Sequence, residues 1–189
     1  MLRLSDDTKW PEFFHISTKR LELRLVAKSD AFALQQLMTS EISRWLATWP
    51  YPLSQTVTEQ IIGRALEQYY HQRALPLVII DHSDGQIIGW IKVFFEERDS
   101  QKFGEIGYWL SENAQGNGFA YEASSALIKV CFEQIGVALI QAGAQTTNHV
   151  SLNLLKKLGM QNIGERLVYA PARDREELCT YFEIKRMGV

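Results

Sequence analysis

Only two cysteines, Cys131 and Cys179, occur in the 189 residues. Two thiols make no disulfide framework, and so few of them fit a reducing compartment. The four histidines, His15, His71, His82 and His149, have no ligand spacing with each other or with the cysteines, so no metal site is expected. There is no excess of basic charge: 20 Lys and Arg stand against 22 Asp and Glu, giving a net charge of −2. The electrostatic footprint of general nucleic-acid binding is therefore missing, while a locally acidic groove for a cationic amine remains compatible. The longest apolar run, residues 75–80, is far too short to cross a bilayer, which takes about 20 residues. The N-terminal stretch MLRLSDDTKWPEFFHI lacks the continuous apolar segment of a signal peptide. A soluble, cytoplasmic protein without membrane or nucleic-acid partners is the expectation.

What is present is an ordinary globular balance, 46% hydrophobic and 22% charged. A chain this long can bury about 70% of its unfolded surface without staples. No repeat, low-complexity stretch or Pro/Gly/Ser-rich linker divides it. The expected organisation is an irregular leader over residues 1–17 and a single domain over 18–189. Residues 19–26 alternate Leu21, Leu23 and Leu25 with Glu22 and Arg24, the period of a half-buried strand. Ser29 and Asp30 open a helix reaching about Met38. Residues 41–53 hold Trp45, Trp49, Tyr51 and two prolines and read as a loop or broken helix. Ser54 starts a second helix with Val57, Ile61, Ile62, Ala65, Leu66 and Tyr69 at helical spacing. Strands follow at 75–81, 86–95 and 104–110, the first two joined across His82-Ser83-Asp84-Gly85. Then come a helix over 120–135, a strand over 137–144, a helix over 148–158 stopped by Gly159, and strands at 163–169 and 178–185. The order describes a mixed α/β domain with helices covering a sheet.

The most informative stretch is the turn Gln115-Gly116-Asn117-Gly118-Phe119-Ala120 between a strand and a helix. Its glycines allow positive φ and close backbone approach to a ligand. The helix start offers free N–H groups and a positive dipole end, which together suit a phosphate or pyrophosphate. A dinucleotide fingerprint needs a third small residue where this chain has Tyr121, and the Gly-Lys-Ser/Thr of a P-loop is absent. The Gly-x-Ser-x-Gly of a serine hydrolase is also absent. What remains is Gln115-x-x-Gly118-x-Ala120.

That pattern resembles the pyrophosphate-binding motif of the GNAT acyltransferase superfamily. Asn148-x-x-Ser151, continuing to Lys157-Leu158-Gly159-Met160, resembles the Asn-x-x-Ser…Leu-x-Lys-Leu-Gly-Phe segment of the same superfamily. Thr18-x-Arg20-Leu21-x-Leu23-Arg24 resembles the Thr-x-Arg-Leu-x-Leu-Arg strand of its RimJ/RimL-like branch. Glu105-Ile106-Gly107-Tyr108-Trp109-Leu110 and Gly118-Phe119-Ala120-Tyr121-Glu122-Ala123 resemble further segments of that branch. The motifs lie in family order over roughly residues 18–186. The departures are Asn117 where Lys is common and Met160 where Phe is common.

The resemblance implies an N-acetyltransferase that moves an acetyl group directly from acetyl-CoA to an amine. The amine would be a protein N-terminus, as in the ribosomal-protein acetyltransferases, or a small molecule. It implies a mostly antiparallel central sheet, splayed at its middle and flanked by helices on both faces. The gap would lie between residues 105–110 and 137–144. Backbone groups near Leu110 would bond the pantetheine arm, as would the Asn148 amide. Residues Gln115, Gly116, Asn117, Gly118, Phe119 and Ala120 would hold the pyrophosphate. Ser151 is the candidate near the departing sulfur and Glu105 the candidate base, directly or through water. A positioned acid and base contribute about 10²–10⁴-fold. A plain capping role for Ser151 and a solvent-facing Glu105 are the alternatives. Monomers and dimers are both known in the family.

The remaining singled-out residues favour structural roles. Glu122 suits the positive end of its helix. Trp45, Trp49 and Tyr51 either shape the acceptor pocket or anchor a loop. Tyr181 is expected to pack, and Arg173-Asp174-Arg175-Glu176-Glu177 to form a solvated hairpin tip. Two rivals stand beside the enzyme: a non-catalytic acetyl-CoA sensor of the same fold, and a nucleotide-binding protein, which Tyr121 disfavours.

Overall fold

The computed structural model describes residues 10–11 and 14–186. Its frame is one eight-stranded sheet in the order β1-β2-β3-β4-β5-β6-β8-β7. The strands are β1 (His15–Ser17), β2 (Leu21–Leu25), β3 (Ala74–Asp81), β4 (Ile87–Arg98), β5 (Gln101–Leu110), β6 (Leu139–Gln145), β7 (Gln161–Ala170) and β8 (Arg175–Lys185). Every neighbouring pair is antiparallel except β5 with β6. The helices are α1 (Ala31–Leu37), α2 (Ser40–Ser43), α3 (Gln55–Tyr70), α4 (Phe119–Val130) and α5 (His149–Lys157).

Two hydrophobic cores sandwich the sheet, and strand alternation sorts residues between them. Leu77, Ile79, Ile91 and Ile106 face α4 and α5, whose Leu127 and Leu155 close that core. Val78, Trp90 and Trp109 face α1 and α3, meeting Leu34 and Ile62. β3 is central and covered on both faces, so its run from Ala74 to Ile79 is buried throughout. The expected arrangement, helices on both faces of a mostly antiparallel sheet, is the one found.

Local signals account for most boundaries. The Ser54 side chain accepts from Val57 N–H and starts α3, whose buried Thr58, Ile62, Ala65 and Tyr69 follow helical spacing. Gly159, at φ +80°, ends α5. Three differences from the sequence reading have physical causes. The segment expected to be irregular through residue 17 ends in a strand, because His15–Ser17 pairs with β2. Phe14 and Trp10 are buried there, Trp10 edge-on to Tyr69 and Phe95; residues 1–9 and 12–13 of that leader lie outside the described residues. The β4–β5 hairpin runs to its tip, since Asp99 and Ser100 both take positive φ, the geometry of a two-residue turn usually written Asn-Gly. The helix expected over 120–135 is regular only to Val130, then widens into a π turn over Cys131–Ile135.

Candidate active site

β5 and β6 pair only at Phe103↔Leu139, Gly104↔Ile140 and Glu105↔Gln141. Beyond Glu105 they part, although β5 continues to Leu110 and β6 to Gln145. Lys102 C=O accepts from Ala138 N–H on the β6 side, and Ser111 N–H donates to Ile88 C=O on the β4 side. Alternation along the strand therefore points the backbone groups of Ile106, Tyr108 and Leu110 into the gap. Leu110 C=O accepts there from the Gln115 side-chain amide at 3.1 Å. A cleft of about 860 Å³ follows the gap and opens on both faces of the sheet.

At one end of the gap, β5 leads through a 3₁₀ turn over Glu112–Ala114 into the glycine turn and α4. Gly116 and Gly118 hold φ of +77° and +78°, which residues with a Cβ adopt only under strain. Gly118 is the N-cap of α4 and supplies no side chain to its first N–H groups, so these remain open to an anion. The Asn117 amide folds back onto the carbonyls of Asn113, Ala114 and Gln115 at 3.2–3.4 Å. Arg20 braces the turn: it donates to Asn117 C=O at 3.0 Å and to Glu122 at 2.7 Å, and lies over the Phe119 ring. Glu122 also accepts from Thr18 Oγ1 at 2.7 Å and Arg20 N–H at 2.9 Å. Burial pushes the Glu122 carboxyl up, but the hydrogen bonds from Thr18 and Arg20 outweigh it and hold it below its ordinary value. Glu122 is thus the structural residue that the sequence suggested.

On the α4–α5 face, Asn148 caps α5, its Oδ1 accepting from Ser151 N–H at 3.2 Å. With the carbonyl so engaged, the amide nitrogen is the end left to reach a ligand. Ser151 Oγ lies 2.9 Å from Tyr108 Oη across the gap. Burial pushes the Tyr108 phenol up to about 12, against a smaller lowering by the Ser151 hydrogen bond. The phenol is therefore protonated at neutral pH and can act as a donor.

On the α1–α3 face stands Glu105, three residues before Tyr108 and so on the opposite side of β5. The Tyr181 hydroxyl donates to Glu105 Oε1 at 3.4 Å. It gets there by lying flat over β6 at Gly143, where an added Cβ would sit 2.6 Å from the ring. The Arg166 guanidinium stacks 3.4 Å over the other side of that ring. Trp45 and Trp49 line the cleft on this face, and Trp49 meets Trp90 and Trp109 edge-on at 5.3 and 5.2 Å.

A family model, the acetyltransferase (GNAT) domain, matches residues 20–161, about three quarters of the chain. This chain belongs to the GNAT acetyltransferase family. The uncharacterized N-acetyltransferase p20 of Bacillus licheniformis is 29% identical over 162 residues, covering 84% of this chain and 88% of that one. The ribosomal-protein-serine acetyltransferase of Escherichia coli (strain K12) is 32% identical over 116 residues, covering 59% of this chain and 62% of that protein. Among solved structures, Mycobacterium smegmatis RimJ in complex with CoA-disulfide superimposes with a TM-score of 0.79 at 21% identity, covering 93% of this chain and 88% of that one. The enzyme class and the RimJ/RimL-like likeness read from the sequence both stand.

The acetyltransferase brings most of its sequence-singled residues into one cleft, but on two sides of it. Gln115, Gly116, Gly118, Phe119, Ala120, Asn148 and Ser151 share the α4–α5 face, Asn117 does not line the cleft because its amide folds back onto the turn, and Glu105 opens on the α1–α3 face. Two contributors were missed. Tyr108 was read only as part of its strand, although it lies two residues from both Ile106 and Leu110 and so must share their face. Tyr181 was expected to pack; it packs and also reaches Glu105, a reach signalled only by the missing side chain at Gly143.

The charged run at 173–177 is a strap rather than a free tip. Arg173 is half-buried and donates to Ser43 C=O and Leu46 C=O at 2.8 and 2.7 Å, and to Glu177 at 2.9 and 2.5 Å. Ala172 N–H donates to Ala47 C=O, and the Gln145 amide bonds Arg44 C=O and Glu177. The Arg173 hydrogen bond, opposed by burial and helped by Arg175, holds the Glu177 carboxyl below its ordinary value. The β7–β8 hairpin thereby fixes the loop that carries Trp45 and Trp49. Tyr51 is exposed and does not line the cleft.

Proposed function

We propose that this chain, as one domain over residues 18–189, transfers acetyl from acetyl-CoA directly to an amine on a protein N-terminus or a small molecule. The observation that carries this reading is the parting of β5 from β6. It leaves an extended slot of backbone donors and acceptors that ends at the uncapped start of α4. An extended ligand bearing amides fits the slot as an added strand, and a pyrophosphate fits the helix start. Acetyl-CoA supplies both, together with a thioester carbonyl open to attack.

In this reading the backbone groups of Tyr108 and Leu110 and the Asn148 amide hold the pantetheine arm. Gln115, Gly116, Asn117, Gly118, Phe119 and Ala120 hold the pyrophosphate, with Arg20 fixing their geometry. A backbone N–H aimed at the carbonyl oxygen stabilises the charge that develops there. Ser151, polarised by the Tyr108 phenol, donates to the sulfur as it leaves. Glu105 removes the amine proton from the opposite face, directly or through water, with Tyr181 fixing its carboxylate. The base and the donor thus act from opposite sides of the sheet, and the gap is where they meet.

Transfer without a covalent enzyme intermediate needs only proximity and two proton movements. The likeness to proteins named ribosomal-protein acetyltransferases supports a protein amine as acceptor. The test is thiol release from acetyl-CoA with N-terminal peptides and small amines offered separately. Release that depends on an amine supports the reading. Acetyl-CoA binding without release for any amine would favour the sensor.

A further inference from the structure

Lys92 stands on β4 in the same cleft and has no role in the chemistry above. It faces the α1–α3 side with Trp90, Phe94 and Glu105. Its ammonium lies 3.6 Å from the Phe94 ring centroid. Among the described residues it forms no ion pair and no hydrogen bond. Across the ladder it is opposed by Gly107, beside which an added Cβ would find open space. Burial alone brings the Lys92 pKa down to about 8. A half-buried charge held by one aromatic face is costly, and such a group lining a cleft is a candidate for a role in binding.

The charges on this side of the cleft sort by their partners. Glu177 is spent on Arg173, Arg175 and Gln145. Glu105 and Lys92 make no ion pair with each other or with anything else described. They are diagonal neighbours across β4 and β5, with backbones roughly 7–8 Å apart. One negative and one positive group, neither neutralised by an opposite charge, line the cleft where an acceptor must enter.

We propose that Lys92 is an anion subsite of the acceptor pocket, and that the acceptor carries a carboxylate a few ångströms from its reacting amine. The amine is held at Glu105 and the carboxylate at Lys92. The inference rests on the acetyl-transfer reading of this cleft. The carboxylate has two sources: the α-carboxylate of a free amino acid, or an acidic side chain near a peptide N-terminus.

The experiment compares wild type, Lys92→Met and Lys92→Arg. Methionine keeps an unbranched apolar stem beside Phe94 but removes the charge. Two acceptor pairs separate the sources: alanine against alaninamide, and two peptides differing only by Glu or Gln at the second residue. Lys92→Met is expected to raise KM for the carboxylate member of one pair about ten- to a hundredfold. The neutral member should change by less than about twofold, and Lys92→Arg should restore most of the loss. The pair that responds names the source. Equal changes within both pairs, or none, would overturn the subsite. A second arm titrates the N-acetylated products into the protein without acetyl-CoA. Wild type should prefer the carboxylate product and Lys92→Met should not; no preference in wild type would also overturn it. Acetyl-CoA affinity is measured alongside, so failure of the transfer reading shows as absent acetyl-CoA binding while the product titration still decides the subsite.

Discussion

Tyr108 Oη lies 2.9 Å from Ser151 Oγ, joining the strand on one side of the gap to the helix on the other. A serine hydroxyl is a poor acid, and so is a phenol whose pKa burial pushes up to about 12. In the proposed mechanism the two act in series, because hydrogen bonds in a chain polarise one another. The pair also fixes the Ser151 rotamer, which an isolated helix-start serine would not keep.

Ser151→Ala should leave acetyl-CoA affinity within about twofold and lower kcat by about tenfold or more. Tyr108→Phe should lower kcat by a smaller factor through the same hydroxyl. The double variant should lose less than the product of the two, as expected for contacting groups. Steady-state kinetics with a saturating amine reads all three. A wild-type rate for Ser151→Ala would remove it from the mechanism.

Gly143→Ala should displace Tyr181, because the new Cβ would meet the ring at 2.6 Å. Overpacking of this kind costs about 1–3 kcal/mol, read as a shift in the denaturation midpoint. Tyr181→Phe keeps the ring under Arg166 and removes only the hydroxyl bonded to Glu105. It should retain stability and lower kcat at saturating amine with little change in acetyl-CoA affinity. An unchanged kcat would show that Tyr181 does not position Glu105.

Acid should loosen the two bracing carboxylates. Glu122 and Glu177 are both held below their ordinary 4.5 in the folded chain. The stability they contribute is complete above that unfolded value and is lost as pH falls through the lower folded ones. Tm should therefore be little affected by these two groups down to about pH 5 and then fall. Glu122→Gln should have a lower Tm at neutral pH and a shallower acid decline. An acid decline as steep as wild type would contradict the assignment of Glu122 as the brace of the glycine turn.

The strands and helices were legible where burial is one-sided. Leu21, Leu23 and Leu25 announced β2, and Ser54 announced α3. The glycine turn was legible because positive φ leaves few residue choices, and Gly116 and Gly118 both take it. What could not be read was contact between distant segments. Arg173 looked like one charge in a mixed run, yet its partners are carbonyls at residues 43 and 46. Tyr181 reaches Glu105 only because β8 lies beside β6, an order fixed by the sheet rather than by any local pattern. Glu105 and Ser151 were both chosen from their segments, but their placement on opposite faces follows from strand alternation combined with where α5 docks.

The central claim is that the gap and the glycine turn hold acetyl-CoA, and thermal unfolding with acetyl-CoA, CoA, NAD and ATP in parallel tests it most directly. A ligand at about 100 times its Kd adds about 2.7 kcal/mol, a clear rise in Tm. The account predicts that acetyl-CoA and CoA stabilise the protein, that NAD and ATP do not, and that Gly118→Glu abolishes the response by placing a side chain and a negative charge in the phosphate site. Stabilisation by NAD or ATP with no response to either CoA form would contradict the account.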